Sequence, residues 1–169
     1  VKICIIGISG AGKTTLAQKL SEEFSLPAHA YDEIYWDKTQ AEYVKNTPET
    51  MKSLISEIKS KESWIMEGSY DKRLAPFFAD SSLIIRLNIP YRVCAYRIIK
   101  RFLISQLKGG RPKETFMNTI ELLHFAKQFD QRLDDFFAAN PMFAEKVKVE
   151  HDTQSCFREM TNHAASHNH

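Results

Sequence analysis

The chain has 169 residues, 43 % hydrophobic and 26 % charged, which suits a single domain with a real core. No apolar run reaches membrane-spanning length, and Cys4, Cys94 and Cys156 give neither a disulfide framework nor zinc spacing. The formal charge of +2 is uneven: Arg86 to Lys113 holds eight basic residues and no acid, leaving 15 basic against 21 acidic residues elsewhere. A local cationic block in an otherwise acidic chain points to an anion site rather than to general nucleic-acid affinity.

Residues 2–15 read Lys-Ile-Cys-Ile-Ile-Gly-Ile-Ser-Gly-Ala-Gly-Lys-Thr-Thr. A short β-branched run predicts a buried strand. Gly7-x-x-x-x-Gly12-Lys13-Thr14 follows, and then a helical pattern begins. Strand, glycine-rich loop and helix in that order form the phosphate-binding loop signature. Glycines let backbone N–H groups close around a polyphosphate, and the positive end of the helix adds to that anion nest. Lys13 is expected to reach the β- and γ-phosphates, and Thr14 to offer its hydroxyl to Mg²⁺. The nucleotide-binding set is expected to be Gly7, Ser9, Gly10, Ala11, Gly12, Lys13, Thr14 and Thr15. No basic leader precedes this strand, and a cytoplasmic location is expected.

A first helix is predicted from Lys13 to about Phe24, with Leu16, Leu20 and Phe24 facing a sheet. A short strand at about Ala28–Tyr31 leads to Asp32-Glu33, and 34–38 reads as an aromatic loop or turn. Thr47-Pro48-Glu49 is a helix start, followed by a buried stripe of Met51, Leu54, Ile55 and Ile58. Ser63–Met66 is a third strand that stops at Glu67-Gly68, and Asp71–Ala79 a short helix. Ser82–Leu87 is a fourth strand, ended by Pro90.

The helix from about Tyr91 gathers Arg97, Lys100, Arg101 and Lys108 within an arc of about 100°. Ile98, Ile99, Phe102 and Leu103 are expected to face the core. Gly109-Gly110-Arg111-Pro112 interrupts it. A long helix is expected over about Thr115–Ala139, a fifth strand over Lys146–Glu150, and a last helix from about Thr153.

The order β-α-β-α-β-α-β-α-α-β-α predicts a parallel sheet covered by helices on both faces. Ligands bind such sheets at the C-terminal strand ends. That rim would collect the phosphate loop, Asp32, Glu67 and Asn88. Asp32 suits an acceptor-side carboxylate, and Glu67 a carboxylate holding a Mg²⁺-bound water. Arg92, Arg97, Arg101 and Arg111 are candidates to neutralise the transferring phosphate, and Arg73 to clamp the acceptor. Tyr35, Trp36, Tyr43 and Tyr70 are candidates to line an acceptor pocket. His163 and His167 have i,i+4 spacing, but a metal tail with His151 and His169 is not favoured without acidic or cysteine partners.

The motifs resemble the P-loop nucleotide-kinase-like proteins related to adenylate kinase, and more narrowly the bacterial DNA topology modulation protein group. The resemblance rests on Gly7–Thr14, Tyr31-Asp32-Glu33-Ile-Tyr-Trp36, Trp64–Tyr70, Ala79–Ile85 and the Tyr91–Arg101 helix, and covers about residues 1–113. It implies a three-layer α/β/α P-loop fold with five parallel strands in the order 2-3-1-4-5. It also implies one domain over 1–169 with a helical lid near 92–115 that brings arginines onto ATP. The implied activity is transfer of the γ-phosphate of ATP, with Mg²⁺, to a nucleoside, nucleotide or other small metabolite. In that role Lys13, Asp32, Arg97 and Arg101 are catalytic, Arg92 helps bind the nucleotide, and Thr14 and Glu67 serve the metal. The alternative is an ATP-binding regulatory protein linked to nucleic acid. No Asn-Lys-x-Asp segment supports a GTPase, and no apolar strand ending in Asp supports a motor ATPase. No membrane partner is expected, and the chain is expected to be a monomer or homodimer.

Overall fold

Strand β1, Lys2–Gly7, runs through the centre of the molecule, and its residues Ile3, Cys4, Ile5 and Ile6 are all buried. Burial at successive positions means that both faces of the sheet are covered, as parallel sheets require. The computed structural model describes residues 1–40, 42–108 and 115–166, with side chains to Thr161. The turn at 109–112, Arg111, the His163 side chain, His167 and His169 lie outside the described residues.

After β1 come α1 (Lys13–Phe24), β2 (Ala28–Ala30), α2 (Tyr31–Tyr35), α3 (Pro48–Ser60), β3 (Trp64–Gly68) and α4 (Asp71–Asp80). Then follow β4 (Leu83–Leu87), α5 (Tyr91–Lys108), α6 (Phe116–Ala139), α7 (Pro141–Ala144), β5 (Val147–Glu150) and α8 (Thr153–Ser166). The five strands are parallel, in the order β2-β3-β1-β4-β5. Ile6 is in register with Gly68, and Gly7 with Leu87, so three strands end at one rim.

Local chemistry explains the helix starts. The Thr50 N–H donates to Thr47 Oγ1 at 3.2 Å, and Pro48 takes the first helical position of α3. Thr115 caps α6 in the same way, accepting from the Asn118 N–H at 3.1 Å. Two aromatic groups fill the layers. Trp64 meets Phe77 edge-on at 5.4 Å, and Phe78 gathers Phe136, Phe137 and Phe143 around it. Full burial of each such side chain is worth about 1.5–3 kcal/mol.

Several element-level expectations are corrected. Tyr31, expected to end a strand, and Ile34 and Tyr35, expected in a loop or turn, belong to helix α2, because Tyr31 and Ile34 recur at helical spacing and are both buried. Of the expected α3 stripe only Ile58 is fully buried; Met51, Leu54 and Ile55 are half-buried against the core edge. On α5, Ile98 is fully buried, but Ile99 and Leu103 are 44 % and 55 % exposed. The core reaches one narrow stripe of α5, and the other apolar flank turns outward.

Candidate functional site

The phosphate loop leaves β1 under tight steric control. A Cβ on Gly7 would lie 3.1 Å from both Cβ and the carbonyl oxygen of Leu87. Gly10 and Gly12 have φ of +81° and +93°, conformations that favour glycine. Gly12 caps α1, and the Leu16 N–H donates to its carbonyl at 3.0 Å. Ala11 is buried, and its N–H donates to the Ile8 carbonyl at 3.1 Å.

Lys13 folds back under the loop. It is only 8 % exposed, and its Nζ donates to the Ile8 carbonyl at 3.0 Å. Burial pushes its ammonium below the ordinary lysine pKa, while the Glu67 and Asp32 carboxylates act in the opposite direction. Thr14 Oγ1 donates to Glu67 Oε1 at 2.7 Å. Glu67 is buried at the end of β3, and Asp32 is exposed in the first turn of α2.

Helix α5 closes the other side. A Cβ on Gly10 would meet the Cys94 carbonyl at 2.9 Å, so α5 lies directly on the loop. Arg97 Nη1 donates to the Gly10 carbonyl at 2.9 Å, and Arg101 Nη1 reaches Ser9 Oγ at 3.5 Å. These groups bound a cavity of about 470 Å³ that collects Ser9, Gly10, Gly12, Lys13, Thr14 and Thr15 with Asp32, Glu67, Arg97 and Arg101. Gly7 and Ala11 support the loop from beneath and do not line the cavity. Arg92 sits exposed in the first turn of α5, also outside the lining.

Three further residues line the cavity: Gly68, Ser69 and Thr153. Thr153 opens α8, and its methyl lies 3.1 Å from where a Gly12 Cβ would stand. Leu87 and Glu150 are in register, so the turn after β5 joins the same rim. Asn88 belongs to the rim as well, but its carbonyl faces His151 Nδ1 at 3.2 Å.

Outside the cavity lining, the Arg73 guanidinium lies 3.8 Å from the Tyr35 ring centroid and 4.1 Å from that of Tyr70. Trp36 and Tyr43 pack against each other at 5.2 Å, and Trp36 also meets Tyr35 edge-on at 4.7 Å. The basic stretch is divided. Arg86 pairs with Asp134 and Asp130 of α6, whereas Arg97 and Arg101 turn to the loop.

Thr14 and Glu67 suit Mg²⁺: both are oxygen donors, and a cation that keeps most of its waters needs few protein ligands. Among the described residues there is no group of three or more His, Cys, Asp or Glu that could hold a metal ion. Among them, too, no helix is long and apolar enough to cross a membrane.

A phosphate loop after the central strand of a 2-3-1-4-5 parallel sheet defines a P-loop NTPase fold. The chain belongs to the NB-ARC domain family, whose model matches residues 2–87, just over half its length. That match spans the phosphate loop, Asp32 and Glu67, and stops before α5.

Solved structures extend the likeness over the whole chain. Shikimate kinase from Bacteroides thetaiotaomicron superposes with a TM-score of 0.57 at 16 % identity, covering 98 % of each chain. Shikimate kinase from Acinetobacter baumannii, in complex with shikimate, gives 0.56 at 18 % identity over 98 % of this chain and 93 % of that one. Shikimate kinase from Aquifex aeolicus gives 0.52 at 14 % identity over 99 % and 98 %. At these identities the likeness is one of fold. No curated protein matches the sequence, and the narrower resemblance to DNA topology modulation proteins finds no support in these comparisons.

Proposed function

We propose that the protein is an ATP-dependent phosphotransferase that moves the γ-phosphate of ATP to the hydroxyl of a small molecule. The observation that carries this reading is the convergence of Lys13, Asp32, Glu67, Arg97 and Arg101 on one cavity. Phosphoryl transfer needs charge neutralisation and an oriented acceptor, and those groups supply both.

In this reading the loop N–H groups and Lys13 hold the phosphates, with Ser9 and Thr15 at their edge. In this reading Arg97 and Arg101 neutralise the migrating phosphoryl group, and Arg92 helps to bind the nucleotide. Asp32 accepts the proton of the acceptor hydroxyl as its oxygen bonds to the γ-phosphorus. The bond from that phosphorus to the bridging oxygen breaks, and ADP leaves. Thr14 and Glu67 would hold Mg²⁺, which neutralises phosphate charge when bound.

Arg73 extends the reading to the acceptor. Two tyrosine faces cover its guanidinium, which leaves the planar edge for hydrogen bonding. An acceptor with a carboxylate or phosphate fits that edge. Cys94 and Ile98 anchor the first half of α5 in the core. Use of Arg97 and Arg101 at the loop favours a small-molecule acceptor over nucleic acid. A cytoplasmic setting, where ATP is abundant, fits the same reading.

The test measures ADP release from ATP and Mg²⁺ across nucleosides, nucleotides and hydroxylated acids, shikimate included. Stimulated release by one class is expected, with Asp32→Asn cutting turnover by about 10²-fold or more at nearly unchanged ATP affinity. ATP binding without stimulated release across the panel would sink the proposal.

A further inference from the structure

The outer flank of α5 carries Tyr96, Ile99, Leu103 and Leu107 at spacings of three and four residues, one continuous stripe on a helix. Tyr96 is 65 % exposed and Leu107 87 %. The first turns of α6 add Phe116, 66 % exposed, with Met117 and Ile120. The two helices pack together where Phe102 meets Phe116 at 6.2 Å, so their exposed flanks adjoin. Together these seven side chains present on the order of 800 Å² to solvent, which is what one partner contributes to a standard protein interface. The largest apolar patch of an ordinary monomer is about 300–600 Å².

The charges on the face are complementary to themselves. Exposed Lys100 stands within the α5 stripe and exposed Glu121 beside Ile120 on α6. A two-fold axis that lays α5 of one copy along α6 of the other brings Lys100 to Glu121 twice.

We propose that this α5–α6 face is the interface of a homodimer, in which two helix pairs form a four-helix layer around a two-fold axis. The inference is independent of the reaction proposed above, but it bears on the site. The flank of α5 away from the stripe buries Cys94 and Ile98, and Arg97 bonds to Gly10. One helix then joins the dimer face to the phosphate loop.

Sedimentation equilibrium of the full chain decides it. Twice the chain mass is expected at tens of micromolar. Leu103→Glu and Leu107→Glu should each weaken association by about 100-fold or more, with unchanged helical circular dichroism. Lys100→Glu and Glu121→Lys should each weaken it, and the double exchange should restore it. A monomer at all concentrations, with or without a non-hydrolysable ATP analogue, would overturn the proposal. So would a dimer untouched by the leucine variants, charge variants that the double exchange does not rescue, or sedimentation of the monomer with phosphatidylcholine–phosphatidylglycerol vesicles. Unfolding of both leucine variants would overturn it too, since it would make those side chains internal.

Discussion

Thr14 Oγ1 donates a 2.7 Å hydrogen bond to Glu67 Oε1, across 53 residues of sequence. The bond ties the start of α1 to the end of β3 at the mouth of the cavity. Glu67→Gln keeps a similar shape and removes the charge. Mg²⁺-dependent ADP affinity should fall by about 10-fold or more, while metal-free ADP binding changes little. Titration calorimetry with and without Mg²⁺ checks this, and an equal loss in both conditions would refute the metal role.

Lys13 is buried with its charge and has the Ile8 carbonyl as its hydrogen-bond partner. Without phosphate the fold bears the cost of keeping an ammonium out of water. Lys13→Met should therefore abolish ATP binding and still stabilise the ligand-free protein by about 1 kcal/mol, raising Tm by about 3 °C. A Tm lowered by several degrees would show that the lysine supports the fold.

Gly10 is pressed between its own positive φ and the Cys94 carbonyl. Gly10→Ala should cost about 1–3 kcal/mol and displace Arg97 from the loop. Thermal unfolding should report the first effect and lost turnover the second. An alanine variant with unchanged Tm would mean that α5 is free to move off the loop.

Arg97→Ala should cut turnover by about 10³-fold while ATP still binds, if its guanidinium moves from the Gly10 carbonyl to the transferring phosphate. Single-turnover kinetics separate the chemical step from binding. An effect confined to ATP affinity would reassign Arg97 to ground-state binding.

Burial, chiefly, pushes the Cys156 thiol up to about 12. The unfolded thiol ionises near 9.0, so the folded state binds more protons above that pH. The contribution of Cys156 to stability is complete below pH 9.0 and is lost as pH rises towards 12. Cys4 is raised by burial too and acts in the same direction. Tm measured from pH 8 upward should fall less steeply in Cys156→Ala than in the wild type; parallel curves would contradict the assignment.

Much of the fold was legible because its signals are local. Continuous apolar runs, helical periodicity, Pro48 and the two threonine caps mark elements whose causes lie within a few residues. The faces of α5 were not legible in the same way. Ile98 and Ile99 are chemically alike, and only the packing of α5 on the loop decides that one is buried and the other exposed. Thr153 escaped notice because it matches no motif and enters the site through the neighbouring strand β5.

The sequence by itself determined the phosphate loop, the parallel sheet and the rim that receives Asp32 and Glu67, through glycine geometry, periodicity and the rule for crossovers. The strand order 2-3-1-4-5 was implied only by the resemblance to P-loop nucleotide-kinase-like proteins. Only the tertiary structure decided that Lys13 lies buried, that Thr14 bonds to Glu67, and that Arg97 rather than Arg92 reaches the loop. Those outcomes depend on how far one helix rolls against a sheet, a balance of contacts between residues 50 to 90 positions apart that no short window of sequence contains.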